Sequence, residues 1–217
     1  MKILILQNRM GIGDMIMFLP FIEAISKKFK TPVTILAKKN TKVEMYFNNK
    51  EIVEEIMYLE REDNKKHSGV KGFFKLVNEL KLKKFDKVFI FNSSLRYFLI
   101  SKFSGIKEVF HYPLFKKKNQ QIIEAAKEFT LKSIGEDIES TPRLFLKEQD
   151  ILKAKKDHSI DQSITNIILG IGGSGKTKRV PASIFKSFMS KVLKRSNCRF
   201  FLMTGNNIDE LKIMDEI

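Results

Sequence analysis

Short apolar runs that alternate with longer amphipathic stretches constrain this chain more than any other feature. Lys2-Ile-Leu-Ile-Leu6, Val33-Thr-Ile-Leu-Ala37 and Lys87-Val-Phe-Ile-Phe91 are too short for helices. They are also too evenly apolar for strands with one wet face, so they read as strands buried on both faces. Glu55 to Leu59 reads as a further short strand. Between these runs, Asp14 to Phe29, Val70 to Lys84, Ser93 to Phe103 and Ile122 to Ser133 carry apolar residues at helical spacing. Thr41 to Phe47 fits a short helix, and the polar stretch Glu60 to Gly69 fits a loop. Strands separated by helices predict a parallel sheet of α/β type.

The rhythm changes at Gly135 to Gln149, a stretch containing Pro142 that reads as an inter-domain segment. A charged helical segment, Asp150 to Asp157, precedes a new unit. Thr165 to Ile171 is a strand, Gly172 to Val180 a glycine-rich basic loop, and Pro181 to Arg195 a helix. Cys198 to Met203 is the next strand, with a helix from Ile208 onward. The expected domains are 1–149 and 150–217. Two strands and two helices do not close a second α/β domain, and the last helical pattern reaches Ile217 without a stop signal. The sequence is therefore expected to be truncated at its C-terminus.

Composition narrows the function classes. A hydrophobic fraction of 43% with 30% charged residues excludes a disordered or collagen-like chain. No apolar run reaches the length of a bilayer span. A single cysteine, Cys198, builds no disulfide framework. Together with a start that goes directly into a strand rather than a leader peptide, this predicts a reducing, cytoplasmic setting. The formal net charge is +15, which suits polyanionic partners: nucleic acid, an anionic membrane face or phosphorylated substrates. Of the 40 cations, 33 are Lys and 7 are Arg, spread over both halves, so an ordinary solvated surface explains the same count. The 19 Phe residues fall mostly in apolar patterns and read as core rather than as base-stacking platforms.

Two loops can carry chemistry. Gly11-Ile-Gly-Asp14 follows the first strand, at the carboxyl edge where α/β sheets bind ligands. It is not a complete dinucleotide fingerprint, because Ile16 holds the third glycine position. Asp14 suits two roles. It can cap or charge the first turn of a helix, or it can act as a general base toward a substrate hydroxyl. In the second loop, Gly170 to Thr177 matches the P-loop pattern G-x-x-x-x-G-K-[ST] letter for letter. A P-loop requires a long helix from its Gly-Lys step, yet Pro181 would collide with the carbonyl of Thr177 inside such a helix. The strand Arg199 to Met203 also ends without an acidic residue for magnesium. The loop has a simpler use. Its glycine amides, Ser174 and Thr177 can bond phosphate oxygens, with Lys176, Lys178 and Arg179 as countercharge and a helix N-terminus behind them. That describes a diphosphate site without metal.

Taken together, these segments resemble glycosyltransferase family 9, the lipopolysaccharide heptosyltransferases. The resemblance rests on Gly11-Ile-Gly-Asp14 with Pro20 six residues on, Pro142-Arg-Leu-Phe-Leu146, Gly172-Gly-Ser-Gly-Lys-Thr-Lys-Arg-Val-Pro181 and Phe200 to Gly205. It implies a GT-B fold, with a Rossmann-like N-terminal acceptor-side domain and the beginning of a second Rossmann-like domain that takes the nucleotide-sugar. It implies an inverting, metal-independent transfer of a heptose-like sugar from an ADP-heptose-like donor to a lipopolysaccharide-core or related glycan, with no cofactor. Asp14 maps onto the catalytic base. Gly173, Ser174, Thr177 and Lys178 map onto the diphosphate loop, and Gly11 and Gly13 onto the acceptor-side loop. A glycolipid acceptor would place the enzyme peripherally on an anionic inner membrane face. Val180 departs from the family's usual Trp, and the later donor segment is absent, so this chain alone is expected to be inactive. The alternatives from other classes are a P-loop NTPase or kinase using Gly170 to Thr177, and a basic module binding nucleic acid or membrane.

Overall fold

All five residues of the first strand, β1 (Ile3–Gln7), are buried, and the architecture is built outward from it. The computed structural model of the chain describes every residue except Met10, Asn48, 115–119, Phe145 and 174–178. It divides into two compact units, Met1–Phe145 and Leu146–Ile217.

In the first unit, β1, β2 (Val33–Ala37), β3 (Val53–Tyr58), β4 (Lys87–Ile90) and β5 (Glu108–His111) form one sheet in the order β3-β2-β1-β4-β5. Every neighbouring pair is parallel, so each connection must cross a face of the sheet, and helices cover both faces. Strand alternation sends Ile3 and Ile5 to one face, where they join Phe18, Phe21 and Ile22. Leu4 and Leu6 go to the other face with Leu76, Leu80, Tyr97 and Ile100. The first face is covered by α2 (Leu19–Phe29) and α5 (Ile122–Ile134), the second by α3 (Gly69–Lys83) and α4 (Leu95–Phe103).

Three departures from the sequence reading have physical causes. The single helix expected over Asp14 to Phe29 is two: α1 (Ile12–Ile16) and α2. Pro20 lies in the first turn of α2. A continuous helix would press its ring on the carbonyl of Ile16, so the chain breaks one turn earlier. The short helix over Thr41 to Phe47 is a pair of 3-10 turns, Lys39–Thr41 and Val43–Met45, joined by Lys42 in left-handed conformation. The edge strand β5 was not expected from the sequence. Its four residues begin with an exposed Glu108 and never become fully buried, so it lacks the apolar signature of the inner strands.

The second unit contains α6 (Glu148–Asp157), β6 (Thr165–Gly170), α7 (Ala182–Leu193), β7 (Cys198–Met203) and α8 (Ile208–Glu216). β6 and β7 pair in parallel with Ile167 opposite Phe200, and Phe188 of α7 sets its ring edge against Phe200 at 6.2 Å. Ile168 and Met203 stay exposed on this two-stranded sheet. No described helix is long and apolar enough to cross a membrane.

Candidate functional site

The strand order places a topological switch point at β1 and β4. From β1 the chain winds outward through β2 to β3, and then returns to β4 on the other side. Loops leaving the carboxyl ends of two such strands diverge and leave a crevice. The loop after β1 carries Arg9 and Gly11 and leads into α1 with Gly13 and Asp14, and the loop after β4 carries Asn92 and Ser93. Gln7, at the end of β1, is fully buried and accepts the backbone N–H of Arg9 through Oε1. Among the described residues, Gln7 Nε2 and Asn92 Nδ2 find no hydrogen-bond partner. Two buried amide donors thus meet at the switch point with no acceptor among the described residues.

Gly11 has φ 104° and ψ 155°, a region open essentially to glycine alone. It occupies the N-cap of α1, so Asp14 is not the cap; it sits in the first turn, half-buried. A Cβ on Gly11 would lie 3.9 Å from Asp14 Oδ2, which means that the carboxylate leans back over the glycine loop. Gly13 is exposed, and a Cβ there would meet nothing within 4 Å. Its side of the turn is open to an approaching molecule.

Beside this loop lies a cavity of about 560 Å³ whose walls include Arg9, Phe18, Ser93, His111, Tyr112 and Lys132. Tyr112 and Phe129 of its wall stand edge to face at 5.0 Å, and the buried ring of Phe91 packs edge to face against both. Tyr112 Oη is buried without a partner among the described residues. Burial pushes its phenol well above the ordinary tyrosine range, with Arg9 acting in the opposite sense. The sequence reading missed this cavity. The run Lys107-Glu-Val-Phe-His-Tyr112 that leads into it carries neither a strict alternation nor a continuous apolar run.

In the second unit, Ser174, Thr177 and Lys178 of the expected diphosphate loop lie outside the described residues, as does Lys176. The flanks of the loop are described. Arg179 and Val180 belong to no helix, and Pro181 is the N-cap of α7, with φ −60° and ψ 148°. Helix α7 thus begins at Ala182 rather than at the Gly-Lys step that a P-loop requires. On the other flank, Gly173 N–H donates to Glu210 Oε1 at 3.1 Å, while Glu210 Oε2 accepts Gly205 N–H at 3.1 Å. Arg179 Nε lies 3.9 Å from Glu210 Oε1, and Arg179 Nη1 meets Asp209 Oδ2 at 2.6 Å. The amide hydrogen bonds from Gly173 and Gly205 hold the Glu210 carboxyl below the usual carboxylate range, and Arg179 adds in the same direction. A Cβ on Gly172 would come within 2.9 Å of Glu210 Oε2. A side chain at position 172 would have to displace the Glu210 carboxylate. Glu210 was not singled out in the sequence, where it is one residue of the helix from Ile208 onward.

No family model matches the sequence, and no curated protein matches it. Solved structures share its fold. A family 9 glycosyltransferase from Veillonella parvula superposes with a TM-score of 0.70 at 16% identity, over 99% of this chain and 65% of its own. ADP-heptose lipopolysaccharide heptosyltransferase II from E. coli gives 0.66 at 16% identity, over 100% of this chain and 67% of its own. The UDP-GlcNAc 2-epimerase from Neisseria meningitidis, bound to UDP-GlcNAc, gives 0.52 at 15% identity, over 100% and 69%. The fold is α/β of the GT-B type: a Rossmann-like N-terminal unit followed by the opening of a second one. The chain spans 65% of the length of the Veillonella glycosyltransferase.

Proposed function

We propose that this chain supplies the acceptor-side domain, and the opening of the donor-side domain, of an inverting glycosyltransferase similar to the family 9 heptosyltransferases. Its donor is a nucleotide-diphosphate sugar, ADP-heptose-like, and its acceptor a lipopolysaccharide-core or related glycan. Asp14 takes the proton from the acceptor hydroxyl, whose oxygen bonds to the anomeric carbon as the bond from that carbon to the diphosphate oxygen breaks. Lys178, Ser174, Thr177 and the loop amides neutralise the charge that develops on the departing nucleoside diphosphate. No metal or cofactor enters these steps.

The observation that carries this reading is the placement of Gly11-Ile-Gly-Asp14 at a sheet switch point, in a chain whose whole length follows the fold of the family 9 enzyme. Against the P-loop alternative stands the start of α7 at Ala182. The test is sugar transfer followed by mass spectrometry, with ADP- and UDP-linked sugars and a core-oligosaccharide acceptor, on a form extended past Ile217. Transfer lost in Asp14→Asn supports the reading. Magnesium-dependent ATP hydrolysis lost in Lys176→Ala overturns it. The net charge of +15 supports loose docking on an anionic membrane face, at roughly 1 kcal/mol for each Lys near the surface. Salt-sensitive sedimentation with anionic but not neutral vesicles checks it.

A further inference from the structure

Helix α3 seals one side against the sheet with Leu76, Val77 and Leu80 and leaves the other side open. Apart from Asn78, the exposed side chains on that side are apolar (Val70, Phe74, Leu82) or lysine (Lys71, Lys75, Lys81). At 3.6 residues per turn these positions share one arc of about 140°. No Asp or Glu falls on the arc, and α4 contains none. The neighbouring helix continues the pattern with Lys102 and Phe103. Phe73 stands edge to face with Phe74 at 5.2 Å and with Phe103 at 6.1 Å, so the two helices share one aromatic cluster. Phe74 is 57% and Phe103 62% exposed, although the core beneath them is already closed. Lys66 and Lys83 are held by Glu79 and Glu55, whereas Lys71, Lys75, Lys81 and Lys102 pair with no acid among the described residues. The loop before α3 sets Glu60, Glu62 and Asp63 against Arg61, Lys65 and Lys66, so it adds no net charge. The opposite face of the sheet differs. There Glu23 pairs with Lys27 on α2, and Glu128 with Lys132 on α5, the mixed charges of an ordinary solvated surface.

We infer that the α3–α4 face docks on a bilayer containing anionic phospholipid, with Val70, Phe74 and Phe103 entering the interface and the four unpaired lysines meeting lipid phosphates. It rests on the membrane docking proposed above, to which it adds a face and an apolar component, and not on the transfer chemistry. A helix lying on a sheet offers its whole outer side to a flat partner, the geometry of interfacial rather than spanning contact. Exposed rings alone suit any apolar partner. The unpaired lysines select a surface of negative charge.

The experiment is sedimentation of the 217-residue chain with vesicles of phosphatidylcholine, alone or mixed with phosphatidylglycerol. Wild type should bind the mixed vesicles. Lys71→Gln with Lys75→Gln should bind them roughly thirtyfold more weakly at low salt. Phe74→Ser with Phe103→Ser should lose at least about tenfold at low and high salt alike. Lys27→Gln with Lys28→Gln, on the opposite face and beyond a Debye length, should bind like wild type. The chain contains no Trp, so Phe74→Trp provides a single indole. Its emission should move to the blue on mixed vesicles and be quenched by brominated acyl chains. Undiminished binding by both face variants overturns the inference and leaves docking by overall charge standing. Where the Ser variant does not fold, the indole decides: sedimentation with unmoved emission overturns it. Wild type that binds neither vesicle overturns the docking as a whole without touching sugar transfer. If that protein instead dimerises, and Phe74→Ser with Phe103→Ser abolishes the dimer, the face belongs to a second copy and the inference falls.

Discussion

His67 Nε2 lies 3.2 Å from Glu79 Oε2, while its Nδ1 accepts the backbone N–H of Glu60 at 3.1 Å. The ring is 1% exposed, so one imidazole ties the polar loop before α3 to that helix. Arg96 fastens the same loop by donating to the carbonyls of His67 and Gly69. His67→Ala removes the ring and leaves the Glu60 N–H without its acceptor. It should cost roughly 1–3 kcal/mol, read by urea unfolding followed through tyrosine fluorescence.

The partner acid carries a pH signature. Burial pushes the Glu79 carboxyl up, but hydrogen bonds from Lys66 and His67 outweigh it and hold it below the usual glutamate range. A carboxyl lowered in the folded state stabilises at full strength above its unfolded value. That contribution is lost as pH falls through the folded value. The stability difference between wild type and Glu79→Gln should therefore be largest above about pH 5 and shrink below pH 4.5. Unfolding curves at pH 7, 5 and 3.5 check it; a difference that grows on acidification refutes the assignment.

Gly11 and Gly13, two residues apart, should respond oppositely to the same substitution. Gly11→Ala forces a Cβ into φ 104° and ψ 155° and should destabilise by about 1–3 kcal/mol. Gly13 is helical with open space around its missing Cβ, so Gly13→Ala should stabilise by about 0.5–1 kcal/mol. Denaturant midpoints distinguish the two directly. Two destabilised variants would mean that the α1 turn is not helical at Gly13.

What the sequence made legible depended on how local each determinant is. β1 and β2 were readable because every residue in them is buried, so apolarity alone marks them. The position of Asp14 followed from the strand before it. The split at Pro20 was present in the letters, but the amphipathic spacing on both sides disguised it. The edge strand β5 and the Tyr112 cavity were hidden because their burial comes from α5, placed there by tertiary packing. Glu210 was invisible for the same reason: its partners Gly173 and Arg179 stand 37 and 31 residues away in sequence, across a parallel crossover.

Lys178 tests the diphosphate loop by charge alone. The residue follows a glycine-rich stretch and precedes Arg179 and the N-cap of α7. Lys178→Ala should weaken nucleotide-diphosphate binding by roughly 1.5–3 kcal/mol through loss of a charge-assisted contact. Lys178→Arg should recover part of that. Calorimetric titration with the nucleoside diphosphate reads both, and unchanged affinity in Lys178→Ala removes the residue from the site.

Asp14→Asn separates chemistry from helix electrostatics at the β1 loop. The N-cap of α1 is Gly11, so an Asn at position 14 disturbs no capping bond, and losing a first-turn charge costs only about 0.3–1 kcal/mol. The melting temperature should therefore move by no more than a few degrees. Transfer should fall far more. An amide cannot take up the acceptor proton at neutral pH, and losing a general base slows chemistry by about 10²–10⁴-fold. Nucleotide affinity should stay the same, because the expected diphosphate loop belongs to the other compact unit. Single-turnover sugar transfer, melting and nucleotide titration on the same extended protein give three independent readings. A variant that binds and melts like wild type but transfers no sugar assigns proton removal to Asp14. A variant that transfers at the wild-type rate confines Asp14 to the electrostatics of the first turn and moves the search for a base to the neighbouring His111 and Tyr112 cavity.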